Sequence, residues 1–202
     1  LGFTIRAQGV GSSFNLTARS SNSPTSATNT TTIRETGNLT VDKVLTAPSD
    51  GESATGSTVT FELRPNIANG GSDLPTGAKI VITDQLPGDA ANVVRSINAS
   101  SGAVCESVAT ANSTRRFTCT YSGPMMAVQL NAAKVTVVMQ TDGLGTHTNN
   151  ASIATENDNY FDADPNDNAD SASYEVVLGT DIEAQISFPG QPLEVNTPQN
   201  LV

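Results

Sequence analysis

Val59, Phe61 and Leu63 alternate with Thr58, Thr60, Glu62 and Arg64, a period of two that marks a strand with one face buried and the other wet. Ala78 to Thr83 repeats the pattern. So does Lys134 to Gln140, with Val135, Val137 and Met139 inward, and Phe117, Cys119 and Tyr121 share one face of a further strand. Phe3, Ile5 and Ala7 read as a strand, followed by others at 14–19, 30–34, 39–45, 92–97, 147–155 and 171–178. Pro65 is expected to end the strand begun at Ser57, and Asp84 to Pro87 the strand begun at Ala78. Short alternating strands separated by Gly, Pro and Asn, with no sustained helical period, predict an all-β sandwich.

The chain also repeats itself. Asn150-Ala-Ser-Ile-Ala-Thr, an acidic loop, Asp167 to Leu178 and then Gly179 follow the same plan as Asn15-Leu-Thr-Ala, a Pro24 loop, Ala27 to Arg34 and then Gly37. Gly9-Val-Gly11 stands 134 residues before Gly143-Leu-Gly145, and Gly37 stands 142 before Gly179. The drift in offset places insertions in loops, where repeats tolerate them. This organisation predicts the final strands of one unit at 1–36, a complete sandwich at 37–178, and the opening strands of another at 179–202.

Composition narrows the function classes. Net charge is −10 with only ten basic residues, so nothing offers an electrostatic footprint for DNA, RNA or anionic lipid. No apolar run approaches the roughly 18 residues of a membrane-spanning helix. The chain has no initiator Met and its first residues are no signal peptide, so it is expected to start after processing or inside a longer polypeptide. Its two cysteines, Cys105 and Cys119, fit one disulfide in an oxidising compartment, with two buried thiols as the alternative. A lone His147, with no nucleophile elbow and no phosphate-cradling Gly loop, leaves no enzymatic constellation and no required cofactor.

Gly56-Ser-Thr-Val-Thr-Phe, Asn69-Gly-Gly and Gly77-Ala-Lys-Ile-Val-Ile-Thr-Asp84-Gln-Leu-Pro87 together resemble the bacterial and archaeal surface repeat called domain of unknown function eleven. The likeness continues in Gly102-Ala-Val-Cys105, Phe117-Thr-Cys119-Thr, Asn149-Asn-Ala-Ser and Asp164-Pro-Asn-Asp-Asn168, and covers 37–178. It implies an immunoglobulin-like or prealbumin-like sandwich, usually in tandem on secreted or surface-anchored chains, and implies no activity. Two departures, Arg64-Pro65-Asn66-Ile67 and Gly123-Pro-Met-Met, are places where a specialised contact face is expected if the unit has one.

Two constellations carry candidate chemistry. Asp158, Asp162, Asp164, Asn166 and Asp167 lie in an acidic loop without a basic residue, and the alternate oxygens at 162, 164 and 166 have a spacing that calcium uses in loops. Against this stands a plain solvated loop, since a site needs several oxygens to converge. Lys43 shares parity with Leu39, Val41 and Leu45, which points its stem inward. An inward Lys on a first strand is similar to that of surface domains in which Lys forms an amide with a late-strand Asn or Asp beside a carboxylate. Asn150 and Glu62 are the candidates here, against a snorkelling Lys at a sandwich edge. The counterpart of Lys43 in the following unit is Ile186.

The function these features predict is a structural repeat module of an extracellular or cell-surface fibre, sheath, surface layer or stalk. Its partners would be neighbouring repeats or copies of itself, with strand exchange between subunits as the alternative to a continuous array. An adhesion module binding a glycan or a protein through its loops is the second reading, and it would favour an exposed aromatic platform.

Overall fold

The computed structural model describes residues 13–19, 26–68, 70–87, 93–109, 115–141 and 143–179. The expected strand at Phe3, the Gly9-Val-Gly11 motif and the segment after Gly179 lie outside the described residues. In chain order the elements are β1 (Ser13–Arg19), β2 (Ser26–Thr32), β3 (Glu35–Gly37), β4 (Leu39–Ala47), β5 (Glu52–Ala54), β6 (Thr58–Ile67), β7 (Lys79–Gln85), β8 (Val93–Ala99), β9 (Val104–Ala109) and β10 (Arg115–Ser122). A one-turn helix α1 (Ala127–Asn131) precedes β11 (Val135–Gln140), β12 (Gly145–Thr155), β13 (Tyr160–Asp162) and β14 (Ala169–Val177).

A six-stranded sheet, in order β5-β14-β12-β7-β10-β9, packs on a four-stranded sheet, in order β4-β6-β11-β8. The result is an all-β sandwich of the immunoglobulin-like or prealbumin-like kind. Its core is made by the alternating residues of the sequence pattern: Val59, Phe61 and Leu63 from β6, Val135, Val137 and Met139 from β11, Ile80 and Ile82 from β7, and Phe117, Cys119 and Tyr121 from β10. Burying each large apolar side chain contributes about 1.5–3 kcal/mol, and the two inner faces interdigitate to supply most of the stability.

Two boundaries differ from expectation. β6 does not stop at Pro65 but runs on to Ile67, with Val41 opposite Pro65 and Leu39 opposite Ile67. The proline is tolerated because β11 pairs with β6 only as far as Leu63, so Pro65 sits where the strand has one partner. Asp84 likewise does not end β7; it is its last inward residue, fully buried. The departure at Gly123-Pro-Met-Met leads into α1, whose Asn131 side chain accepts from the Ile67 amide at 2.7 Å and donates to the Ile67 carbonyl at 3.0 Å.

The hairpin β1–β2 carries the register of β12–β14. Ser13 faces Thr32 and Asn15 faces Thr30, while His147 faces Tyr174 and Asn149 faces Ala172. Offsets of 134 for the first strand and 142 for the second, the offsets of the glycine motifs, convert one set of pairs into the other.

The chain enters and leaves the sandwich at opposite ends. At the head end, β3 pairs in parallel with β13, Ser72 donates to the Thr36 carbonyl at 2.9 Å, and Ala163 donates to the Gly37 carbonyl at 3.0 Å. Gly37 is required there, because a Cβ would run into the Tyr160 hydroxyl, which donates to the Ser72 carbonyl at 2.9 Å. At the tail end, the last residues of β14 pair in parallel with β5, and Thr55 donates to the Val177 carbonyl at 3.0 Å.

Cys105 and Cys119 face each other across β9 and β10 and are joined by a disulfide. The bond fastens an edge strand whose only sheet neighbour among the described residues is β10. In the chain-entropy view a loop of about 15 residues is worth about 3 kcal/mol. Reduction is therefore expected to lower the melting temperature by about 10 °C, measured by calorimetry with and without reductant. Coincident melting curves would remove the bond from the stability account.

A candidate site built on Lys43, Asp84 and Asn149

Three polar residues occupy inward positions that the strand pattern reserves for apolar ones. Lys43 follows Leu39 and Val41 on β4, Asp84 follows Ile80 and Ile82 on β7, and Asn149 precedes Ala151 and Ile153 on β12. All three are buried, and the side chains of Lys43 and Asp84 have no solvent exposure. β7 and β12 are neighbours in the six-stranded sheet while β4 lies in the other, so the three meet across the core.

Their geometry centres on one oxygen. Lys43 Nζ donates to Asp84 Oδ2 at 2.6 Å, and Asn149 Nδ2 lies 3.5 Å from the same oxygen. Phe61 closes one side, its ring centroid 5.0 Å from Nζ, and Tyr174 packs edge-on against Phe61 at 5.8 Å. The Lys43 backbone N–H is held by Asp170 Oδ2 at 2.7 Å, which ties β4 to β14. Asp84 Oδ1 and Asn149 Oδ1 have no hydrogen-bond partner. Each buried orphan costs about 1–3 kcal/mol, so the cluster is a poor way to stabilise a core and a reasonable way to arrange a reaction.

The electrostatics point the same way. Burial lowers the Lys43 pKa below the ordinary lysine value, against the opposing pull of Asp84 and Asp170. Burial also raises the Asp84 pKa above the ordinary carboxyl value, against Lys43 and Asn149. Both shifts weaken the preference for the ion pair and ease proton transfer within it. Moving the proton from Nζ to Asp84 changes no net charge and needs no solvent. Once that proton has moved the amine is a nucleophile, and the Asn149 carboxamide is held on the same Asp84 oxygen.

The two partners expected for Lys43 are elsewhere. Asn150 is exposed on the outer face of β12, since neighbouring residues of a strand point to opposite faces. Glu62 is on the outer face of β6, bound by Arg64 at 2.9 Å and Lys134 at 3.2 Å, and the Arg64 hydrogen bond holds its pKa low. Asp84 and Asn149 take their places. The signal for both was strand parity, which assigns them to the faces of Ile82 and Ala151.

The acidic loop turns its carboxylates to the chain's own donors. Among the described residues no three His, Cys, Asp or Glu side chains converge on a common point. Asp162 Oδ1 accepts from the amides of Leu39 at 3.1 Å and Asp164 at 3.3 Å, and its Oδ2 accepts from Asn168 at 2.6 Å. Asp164 accepts from both nitrogens of Asn166, Asp167 accepts from Asn38 at 2.7 Å, and Asp158 pairs with Arg34 at 3.4 Å. These oxygens hold the chain's own donors and tether the start of β4 to the loop. Asp162→Ala is expected to cost about 2–3 kcal/mol, or about 8 °C, and the loss should be equal in calcium and in chelator. A loss confined to calcium-containing buffer would reinstate a metal.

No family model matches the chain, and no curated protein matches its sequence. Solved structures do match in shape. A cohesin module from a Clostridium perfringens family 33 glycoside hydrolase is 13% identical, over 72% of this chain and 99% of that one, with a TM-score of 0.45. The CARDB domain of a Pyrococcus furiosus protein, in complex with di-metal ions, is 18% identical over 74% and 100%, with a TM-score of 0.43. A C-terminal fragment of the major pilin of Streptococcus agalactiae is 12% identical over 69% and 56%, with a TM-score of 0.42.

Proposed function

We propose that this chain is a structural module of an extracellular or cell-surface assembly, built as a tandem array of β-sandwiches, and that Lys43, Asp84 and Asn149 close its complete unit with an intramolecular amide. The observation that carries the covalent step is the single Asp84 oxygen shared by the Lys43 amine and the Asn149 amide in a dry core. Asp84 takes a proton from the Nζ ammonium, and the free amine attacks Asn149 Cγ. As the Cγ–Nδ2 bond breaks, Asp84 passes that proton to the departing nitrogen and takes up the second proton that Nζ must lose, ending protonated. One C–N bond forms, one breaks and ammonia leaves, so no oxidant or cofactor is required.

A structural role is supported by what surrounds this cluster. The array reading rests on the shared register of β1–β2 and β12–β14. The disulfide suits an oxidising compartment. Among the described residues no helix is long and apolar enough to cross a membrane. For the adhesion alternative, a surface groove of about 570 Å³ lies on the outer face of the six-stranded sheet. Lys79, Thr83, Arg116, Thr118 and Glu156 are among its lining, and no aromatic residue is.

Intact mass tests the covalent step. The native chain is expected to weigh about 17 Da less than its disulfide-bonded sequence, and proteolysis should yield a branched peptide joining Lys43 to Asn149. Asn149→Asp should lose water, about 18 Da, in place of ammonia. A native mass equal to the sequence mass, allowing for the disulfide, disproves the amide.

A further inference from the structure

Glu35–Gly37 has two identities. As β3 it is the strand on which β13 of the complete unit pairs, Tyr160 with Glu35, Phe161 with Thr36 and Asp162 with Gly37. By the offset of 142 it is also the counterpart of Val177, Leu178 and Gly179, the residues that end β14 and leave the tail end. The close of one unit and the first contact of the next are therefore the same three residues.

We propose that Val177, Leu178 and Gly179 form a docking strand for the next unit of the same chain, pairing in parallel with that unit's counterpart of Tyr160–Asp162. Consecutive sandwiches then share a strand, with no free linker between them. The inference rests on the tandem reading above and adds the surface through which neighbours meet.

Three observations support it beyond the offset. The grip on β3 is made largely to backbone: Ser72 and Ala163 donate to the carbonyls of Thr36 and Gly37. Such bonds are indifferent to side chains, so Val177 and Leu178 can replace Glu35 and Thr36. The one residue the head end does dictate is Gly37, where a Cβ would strike the Tyr160 hydroxyl, and its counterpart is again a glycine, Gly179.

The third observation is where exposed apolar surface falls. Among the described residues, Leu144, Val177 and Leu178 are exposed at the tail end, Met126, Val128 and Phe161 at the head end, and Val104 alone on the outer face of β9. Leu178 is 70% exposed and Phe161 54%, while the broad faces of both sheets are mainly polar. Apolar surface concentrated at two opposite ends fits a head-to-tail contact, in which the two patches differ and the contact repeats by translation. The occupant is the adjoining repeat and not a second molecule, because only Ile33 and Arg34 separate β2 from β3, a span of about 10 Å.

The test inserts a second copy of residues 37–178 after Leu178 of the full chain, leaving both natural flanks in place. Leu178→Cys in the first copy and Phe161→Cys in the second then occupy neighbouring positions on paired strands. Mild oxidation is expected to cross-link them within the molecule at least tenfold faster than the control pair of Leu178→Cys with Val104→Cys in the second copy. Equal rates, or cross-links only between molecules, overturn the shared strand. Folding of the inserted copy is read separately from a second ammonia loss and a doubled unfolding enthalpy. If both copies fold but the cross-link is slow, the junction fails alone. If the inserted copy does not fold, the tandem reading fails with it.

Discussion

Asp84→Ala is expected to abolish the ammonia loss and to lower the melting temperature by about 25 °C, while Asn149→Ala should abolish it and cost about 15 °C. The difference follows from what each variant leaves behind. An amide between Lys43 and Asn149 closes a loop of roughly a hundred residues, worth about 4–5 kcal/mol in the chain-entropy view. Both variants lose that term. Asn149→Ala keeps the Lys43–Asp84 pair, but Asp84→Ala leaves a buried amine without its carboxylate, which costs about 3–5 kcal/mol more. Calorimetry and intact mass on the two variants and the parent decide the matter. If Asn149→Ala melts with the parent, the bond carries no stability.

Much of this site could be read from the sequence, and the misreadings have a single cause. Alternation on β4 placed Lys43 inward, and alternation on β10 placed Cys119 inward opposite an edge strand that holds Cys105. The same rule applied to β7 and β12 puts Asp84 with Ile80 and Ile82, and Asn149 with Ala151 and Ile153. A polar residue at the end of a hydrophobic run reads as a terminator, which sends Asp84 to the following turn, and Asn150 as a partner for Lys43 conflicts with its own parity. Glu62 fails the same test, because Phe61 beside it faces the core.

The acidic loop shows a different limit. Spacing along a chain gives the number of carboxylates but not the direction of the amides around them, and that direction decides whether an oxygen caps backbone or meets a cation. Asp162 caps Leu39 because β13 and the start of β4 are neighbours at the head end, a contact between residues far apart in sequence. The glycine spacings, by contrast, are offsets that convert the pairing register of β1–β2 into that of β12–β14.

The largest mechanical consequence follows from where tension enters and leaves. Gly37 and Leu178 lie at opposite ends of the sandwich, so a pulled array loads β4 from one side and β14 from the other. With the amide in place the covalent path runs from Gly37 to Lys43, across to Asn149 and on to Leu178. Residues 44–148 lie off that path and cannot extend. Their contour is about 370 Å at roughly 3.5 Å per residue, and it is expected to appear in single-molecule pulling of Asn149→Ala but not of the parent. The disulfide sharpens the test, because Cys105 and Cys119 both fall inside the bypassed segment. In Asn149→Ala the oxidised chain should release about 50 Å less than the reduced one. In the parent, reductant should leave the extension unchanged. A parent chain that lengthens by the full amount, or whose extension responds to reductant, would show that force reaches residues the amide is meant to shield.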